Sequence, residues 1–239
     1  MHRSHHRWFS PTLGRDMELM VFGHQGSPVL VFPTSQGRYF EFEDRGMVGV
    51  LGHQLEQGWL QLICVDSVDA ESWYCKWAHP SGRIWRHMQY EQYLLNEVVP
   101  FVRNFNRNDF WMTLGCSFGA FHAVNLALRN PWLVRRTIGL SGRYTMRSFM
   151  NGYSDDNVYF NTPTDYTHNL HDQHQIAQLK QQDIILAVGR DDPGLASNEQ
   201  LAANLWRHDI GNALRVWDGW SHDWPYWGKM LTLYISGHD

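Results

Sequence analysis

Apolar positions along the chain fall into two kinds of segment that alternate. Short apolar runs occupy residues 17–22, 28–32, 60–65, 110–114, 134–140, 183–188 and 214–217. Most are near-continuously apolar rather than alternating, which is the pattern of strands buried on both faces. They end in turn chemistry: Gly23-His24-Gln25-Gly26-Ser27 after the first, Asp66, Gly115, Ser141-Gly142 and Gly189 after later ones. Between them lie segments with helical spacing. Residues 84–105 place Tyr93, Leu94, Val98 and Phe101 near one face, with Pro100 marking a kink or break. Residues 118–129 are rich in Ala and Leu and stop before Asn130-Pro131. Residues 195–208 and 224–235 complete the set. The succession predicts an α/β fold, a mostly parallel central sheet flanked by helices on both faces. One stretch breaks the rhythm. Residues 143–174 are polar and aromatic, too long for an ordinary loop, and read as a partly helical insertion over one end of the sheet.

Length and composition narrow the classes. At 239 residues, with no convincing linker or repeat, the chain reads as a single domain over 1–239. A formal charge of -4 argues against nucleic acid as a partner. No apolar run is long enough to span a membrane. The polar start, Met1-His2-Arg3-Ser4-His5-His6-Arg7, has no apolar h-region, so the expected location is cytoplasmic. Cys64, Cys75 and Cys116 form neither a disulfide framework nor a zinc spacing, in keeping with a reducing compartment.

The chemistry concentrates at Gly115-Cys116-Ser117-Phe118-Gly119. It fits G-x-S-x-G with a strand before it and a helix after it, the context of a nucleophile elbow. The glycines let strand and helix pass close together, and the turn lifts the serine out of the sheet. A serine hydroxyl needs a base oriented by a third group. On such an elbow the partners follow in the order Ser, acid, His. Strand 183–188 leads into Asp191-Asp192, and strand 214–217 into His222. In a parallel sheet, ligands sit beyond the carboxyl ends of the strands, so Ser117, Asp191 or Asp192, and His222 should gather at one edge. The first oxyanion donor should be the backbone N–H of Phe118. The second should come from the loop Pro33-Thr34-Ser35-Gln36, at Ser35 or Gln36. Cys116 reads as buried packing. His168-x-x-His171-x-x-His174 would fan over a wide arc of a helix without a completing Cys or carboxylate, so no metal is expected. Trp73, Trp77, Trp85, Trp220, Trp224 and Trp227 fall in segments that should border the site, where some could form aromatic walls while most serve as core.

From about residue 17 to 236 the chain resembles the Putative esterase family of α/β-hydrolases, which contains esterase D (S-formylglutathione hydrolase), feruloyl esterases and the antigen 85 mycolyltransferases. The matching pieces are Phe32-Pro33-Thr34-Ser35, the aromatic stretch 73–85, the elbow, Gly189-Arg190-Asp191-Asp192, and His222-Asp223-Trp224-Pro225-Tyr226-Trp227. The resemblance implies Ser117 as nucleophile, His222 as base and Asp192 as the orienting acid. Pro33-Thr34 departs from the His-Gly or Asp-Gly pair of many members. The implied function is hydrolysis of a small-molecule carboxylic ester through an acyl-enzyme, without cofactor. An acyltransferase of the same fold, or a non-catalytic binding protein built on it, is the alternative.

Overall fold

The computed structural model describes residues 2–237. Eight strands form one sheet: β1 (Arg3–Ser10), β2 (Arg15–Phe22), β3 (Ser27–Phe32), β4 (Leu60–Val65), β5 (Trp111–Cys116), β6 (Val134–Leu140), β7 (Asp183–Gly189) and β8 (Ala213–Trp217). Their spatial order is β1-β2-β4-β3-β5-β6-β7-β8. The β1–β2 and β2–β4 pairs are antiparallel and all the others parallel. Seven of these strands follow the apolar runs to within two residues at each end.

The continuous apolar runs supply two cores at once, because successive side chains on a strand point to opposite faces. Val29, Val31, Leu62, Cys64, Met112 and Leu114 share one face with Met47, Leu51 and Leu55 and with Met230 and Leu231 of the last helix. Leu30, Phe32, Ile63 and Val65 share the other with Tyr90, Tyr93, Ala123 and Leu126. The covering helices are α1 (Pro80–Tyr93), α2 (Phe118–Arg129), α3 (Leu195–Arg207) and α4 (Trp224–Tyr234). Helices therefore cover both faces of the sheet.

The long pattern at 84–105 divides as its proline indicates. Helix α1 starts earlier, where the His79 side chain caps Ser81 N–H at 3.3 Å and Pro80 occupies the first turn. It passes into a wide π-turn, Leu94–Val98, and a short helix, Val99–Arg103. Pro100 sits in the first turn of that segment, which continues directly from the π-turn. Residues 143–174 fold into short helical turns that bury Tyr144, Met146, Met150, Val158 and Tyr166.

β1 escapes the sequence pattern because it is a polar edge strand. Its residues alternate between exposed and half-buried, with Arg3, His5 and Arg7 on the exposed face and His6 packed against Phe101 on the other. Such charge protects an edge against pairing with other chains. Glu97 of the π-turn ties β1 down. Its carboxylate accepts hydrogen bonds from Trp8 Nε1 (2.8 Å), Ser10 Oγ (2.7 Å) and Thr12 N (3.2 Å). Burial alone would raise its pKa, but the bonds from Thr12, Trp8 and Ser10 outweigh that and hold it below the ordinary value. A carboxylate with a lowered folded-state pKa contributes stability above its unfolded value and loses it as pH falls through the folded one. Glu97→Gln should therefore cost about 1–3 kcal/mol in chemical denaturation at neutral pH. The gap to wild type should narrow below about pH 4. A constant gap down to acid unfolding would remove the charged carboxylate from this account.

Candidate active site

The site forms where β3, β5, β6, β7 and β8 end. Strand β5 runs into Ser117, and α2 begins at the next residue. Ser117 has φ 55° and ψ -119°, a conformation that L-residues avoid. Two glycines make the turn possible. A Cβ on Gly115 would lie 2.1 Å from the Gly119 carbonyl carbon, and one on Gly119 would lie 2.5 Å from the Phe32 carbonyl oxygen. Ser117 N–H donates to Leu140 O of β6 at 2.8 Å, which fixes the turn against the neighbouring strand.

The Ser117 hydroxyl lies 3.0 Å from His222 Nε2, and His222 Nδ1 lies 2.6 Å from Asp192 Oδ2. With the proton on Nδ1 shared with the carboxylate, Nε2 is free to accept the serine hydroxyl proton. Asp192 is buried, and its second oxygen accepts Gly194 N–H at 2.6 Å. Asp191, its neighbour, is exposed. Of the two aspartates, the structure brings Asp192 to the imidazole.

The loops carrying these two side chains are bound to each other. Arg190 N–H donates to Trp217 O (2.8 Å) and Asp191 N–H to Gly219 O (3.0 Å). Gly189 lets them approach, since a Cβ there would fall 1.9 Å from Trp220 O. On the other side of His222, Ser141 Oγ donates to Ser221 O (3.1 Å) and accepts Trp227 Nε1–H (2.9 Å). The Trp227 ring meets the imidazole edge-on at 5.3 Å. Asp223, capping α4 through Trp224 N–H, fixes where the helix begins.

Ser35, Tyr74, Ser117, Phe118, Arg143 and His222 are among the residues around a cavity of about 180 Å³. Neither the Phe118 nor the Ser35 backbone N–H has an acceptor among the described residues. The Gln36 N–H is already engaged. At φ 57°, it donates to Asp69 Oδ2 at 3.0 Å. Asp69 is buried, and its other oxygen meets Nε2 of the buried His122 of α2 at 2.7 Å. This second carboxylate–imidazole pair joins the Ser35-Gln36 loop to the elbow helix. Sequence reasoning missed it. The one signal was His122 itself, an ionisable residue in an otherwise apolar run, because Asp69 lies in an irregular turn with no motif around it.

The tryptophan wall needs correction. Tyr74, Phe118 and Phe149 line the cavity, and no tryptophan does. Trp73 is core, Trp77 is 90 % exposed, and Trp227 supports His222 from behind. Tyr74 donates or accepts a 2.7 Å hydrogen bond with Ser35 Oγ. Burial raises the Tyr74 pKa above its ordinary value although the Ser35 bond opposes it, so the phenol stays neutral. Cys116 is buried, and burial pushes its thiol pKa far up, which leaves it inert. His168 turns to Arg207 at 2.8 Å. Among the described residues no group of three or more His, Cys, Asp or Glu side chains could hold a metal ion.

Comparison with known proteins agrees with this architecture. The family model described as Putative esterase matches residues 10–234. No curated protein matches the chain by sequence. Among solved structures, a ferulic acid esterase superposes with a TM-score of 0.77 at 17% identity, over 97% of this chain and 95% of the other. The S-formylglutathione hydrolase FrmB of Staphylococcus aureus gives 0.69 at 17% identity, over 98% and 96%. The fluorophosphonate-binding serine hydrolase FphF of the same organism gives 0.65 at 16% identity, over 98% and 97%. The sheet order, the helices on both faces and the match over nearly the whole length lead to one conclusion: the chain belongs to the Putative esterase family of α/β-hydrolases and is a carboxylic ester hydrolase.

Proposed function

We propose that the chain hydrolyses a small carboxylic ester in two steps through an acyl group carried on Ser117. His222 Nε2 takes the hydroxyl proton as Ser117 Oγ bonds to the ester carbonyl carbon. The carbonyl oxygen becomes an oxyanion, received by the N–H groups of Phe118 and Ser35 and by the N-terminus of α2. When the tetrahedral species collapses, His222 returns the proton to the leaving alcohol and the acyl group stays on Ser117. Water then enters by the same route: His222 takes its proton, the hydroxide attacks, and the acid leaves as Ser117 regains its hydrogen. Asp192 holds the imidazole in the tautomer this requires and stabilises its charged form.

The observation that carries this reading is the unbroken hydrogen-bonded chain from Ser117 through His222 to Asp192. Ser35 is the second donor in this reading because the Gln36 N–H is spent on Asp69. The acceptor is taken to be water because the matching family is described as an esterase and the similar solved structures are an esterase and hydrolases.

Ser117→Ala should lower turnover of a short 4-nitrophenyl ester by ~1000-fold or more. A fluorophosphonate probe should add its mass to the wild-type peptide containing Ser117 and leave the variant unlabelled. Labelling elsewhere, or normal turnover by the variant, would refute the mechanism. Asp192→Asn should cost turnover heavily, ~10,000-fold where the tautomer is lost, whereas Asp191→Asn should stay near wild type. The Asp69 carboxylate predicts a different signature. Asp69→Asn should lower kcat by ~10- to 100-fold with little change in KM, because it loosens a transition-state donor and not the substrate's seat. An increase in KM alone would place Asp69 in substrate binding instead.

A further inference from the structure

Arg143 stands on a perch built by its neighbours. Ser141, at φ 53°, is buried and bonded on both sides of its hydroxyl. The Gly142 carbonyl accepts Asn198 Nδ2–H at 2.7 Å, and Tyr144 N–H donates to Ser197 Oγ at 3.2 Å. Ser141, Gly142 and Tyr144 are all buried, and Arg143 between them is exposed. The backbone is thus fixed on both sides of a side chain that lines the cavity beside Ser117 and His222.

Its charge is unanswered among the described residues. Among the described residues, Arg143 makes no hydrogen bond or ion pair, whereas other arginines near the sheet edge are paired, Arg38 with Asp66 and Arg147 with Asp165. Among the described residues the single carboxylate lining the cavity is Asp192, whose side chain is 1% exposed and whose oxygens are taken by His222 and Gly194. The cation also acts across the cleft, where it opposes the upward push of burial on the Tyr74 pKa. Arg143 is thus the one arginine or lysine among the described residues around the cleft, in a chain of formal charge -4.

We infer that the natural substrate is a small ester bearing a carboxylate, which pairs with Arg143 while Ser117 attacks the ester carbonyl. The inference rests on the proposed role of Ser117. A guanidinium suits this task because it grips a carboxylate with two parallel N–H donors and keeps its charge at any working pH. The cavity of about 180 Å³ sets the scale of the ester, since drug-sized ligands occupy roughly 300 Å³ or more.

Two matched pairs of esters test this and separate the two places the carboxylate could sit. Monomethyl adipate against dimethyl adipate puts the charge on the acyl side. The acetyl ester of 4-hydroxybenzoate against that of methyl 4-hydroxybenzoate puts it on the leaving group. In at least one pair, the wild type should favour the anion by ~10-fold or more in kcat/KM. Arg143→Gln should bring that ratio close to one through KM, Arg143→Lys should restore part of it, and 0.5 M salt, on the order of a 4 Å Debye length, should shrink it in the wild type. Equal rates on both members of both pairs, or a preference that survives Arg143→Gln, would overturn the proposal. Failure of the underlying reading looks different. Ser117→Ala would then hydrolyse the neutral diester at the wild-type rate, and the proposal would fall with it.

Discussion

The structure turns on one backbone residue held against its preference. Ser117 sits at φ 55°, and a side chain in such a region costs about 1–3 kcal/mol. What keeps it there is a close approach of three backbone segments. Strand β5 at Gly115, helix α2 at Gly119 and the end of β3 at Phe32 come so near one another that any Cβ would collide with main chain. The apolar contacts that pack α2 against one face of β3, β5 and β6 outweigh the local strain. The same crossing leaves the hydroxyl above the sheet and sets the first turn of α2 behind it. Core packing and site geometry are consequences of one constraint.

The rest of the site is assembled by polar ties between loops that have little core of their own. The β7 and β8 loops bind each other through backbone bonds across Gly189, and the β6 loop locks onto both the β8 loop and α4 through Ser141. Asp69 does the same for the β3 loop and α2. A buried carboxylate and imidazole are costly to desolvate and stay only where their hydrogen bonds are met. Here both oxygens of Asp69 are used, and the positive φ of Gln36 is the local distortion that brings its N–H to one of them. The pair adds little net stability. Its effect is to fix the register of one loop relative to the elbow.

Much of this was legible in the chain because it rests on patterns of local origin. The buried strands β3 and β7 appear as short, almost wholly apolar runs, and α2 as an Ala/Leu segment closed by Asn130-Pro131. The elbow is legible because the glycines are demanded by sterics at fixed spacing. What was hidden has no local signature. β1 is an edge strand whose outward charges mask its alternation, and the short helices after β3 carry too few residues to show a period. Asp69 and Ser141 acquire their roles only through partners 33 to 86 residues away. The tryptophans misled for a related reason. Their segments do reach the site edge, but a large ring is placed by whichever cavity it fills, and Tyr74, Phe118 and Phe149 fill this one.

The division of labour around the cleft follows from the same logic. Aromatic side chains come from β4's exit loop, from α2 and from the turns after β6, so that side of the cleft is apolar and bonded by ring contacts such as Tyr74–Phe118 at 5.0 Å and Phe118–Phe149 at 5.2 Å. The rest of the lining includes Ser141-Gly142 and Pro193-Gly194, the buried Asp192 carboxylate, His222 and the exposed Arg143. An apolar wall excludes water from a reacting carbonyl and strengthens every electrostatic contact within reach. Arg143 is itself exposed, so solvent and salt screen its charge. Because its backbone is fixed on both sides, the protein pre-arranges where that charge stands, and part of the ordering cost of binding is met when the chain folds.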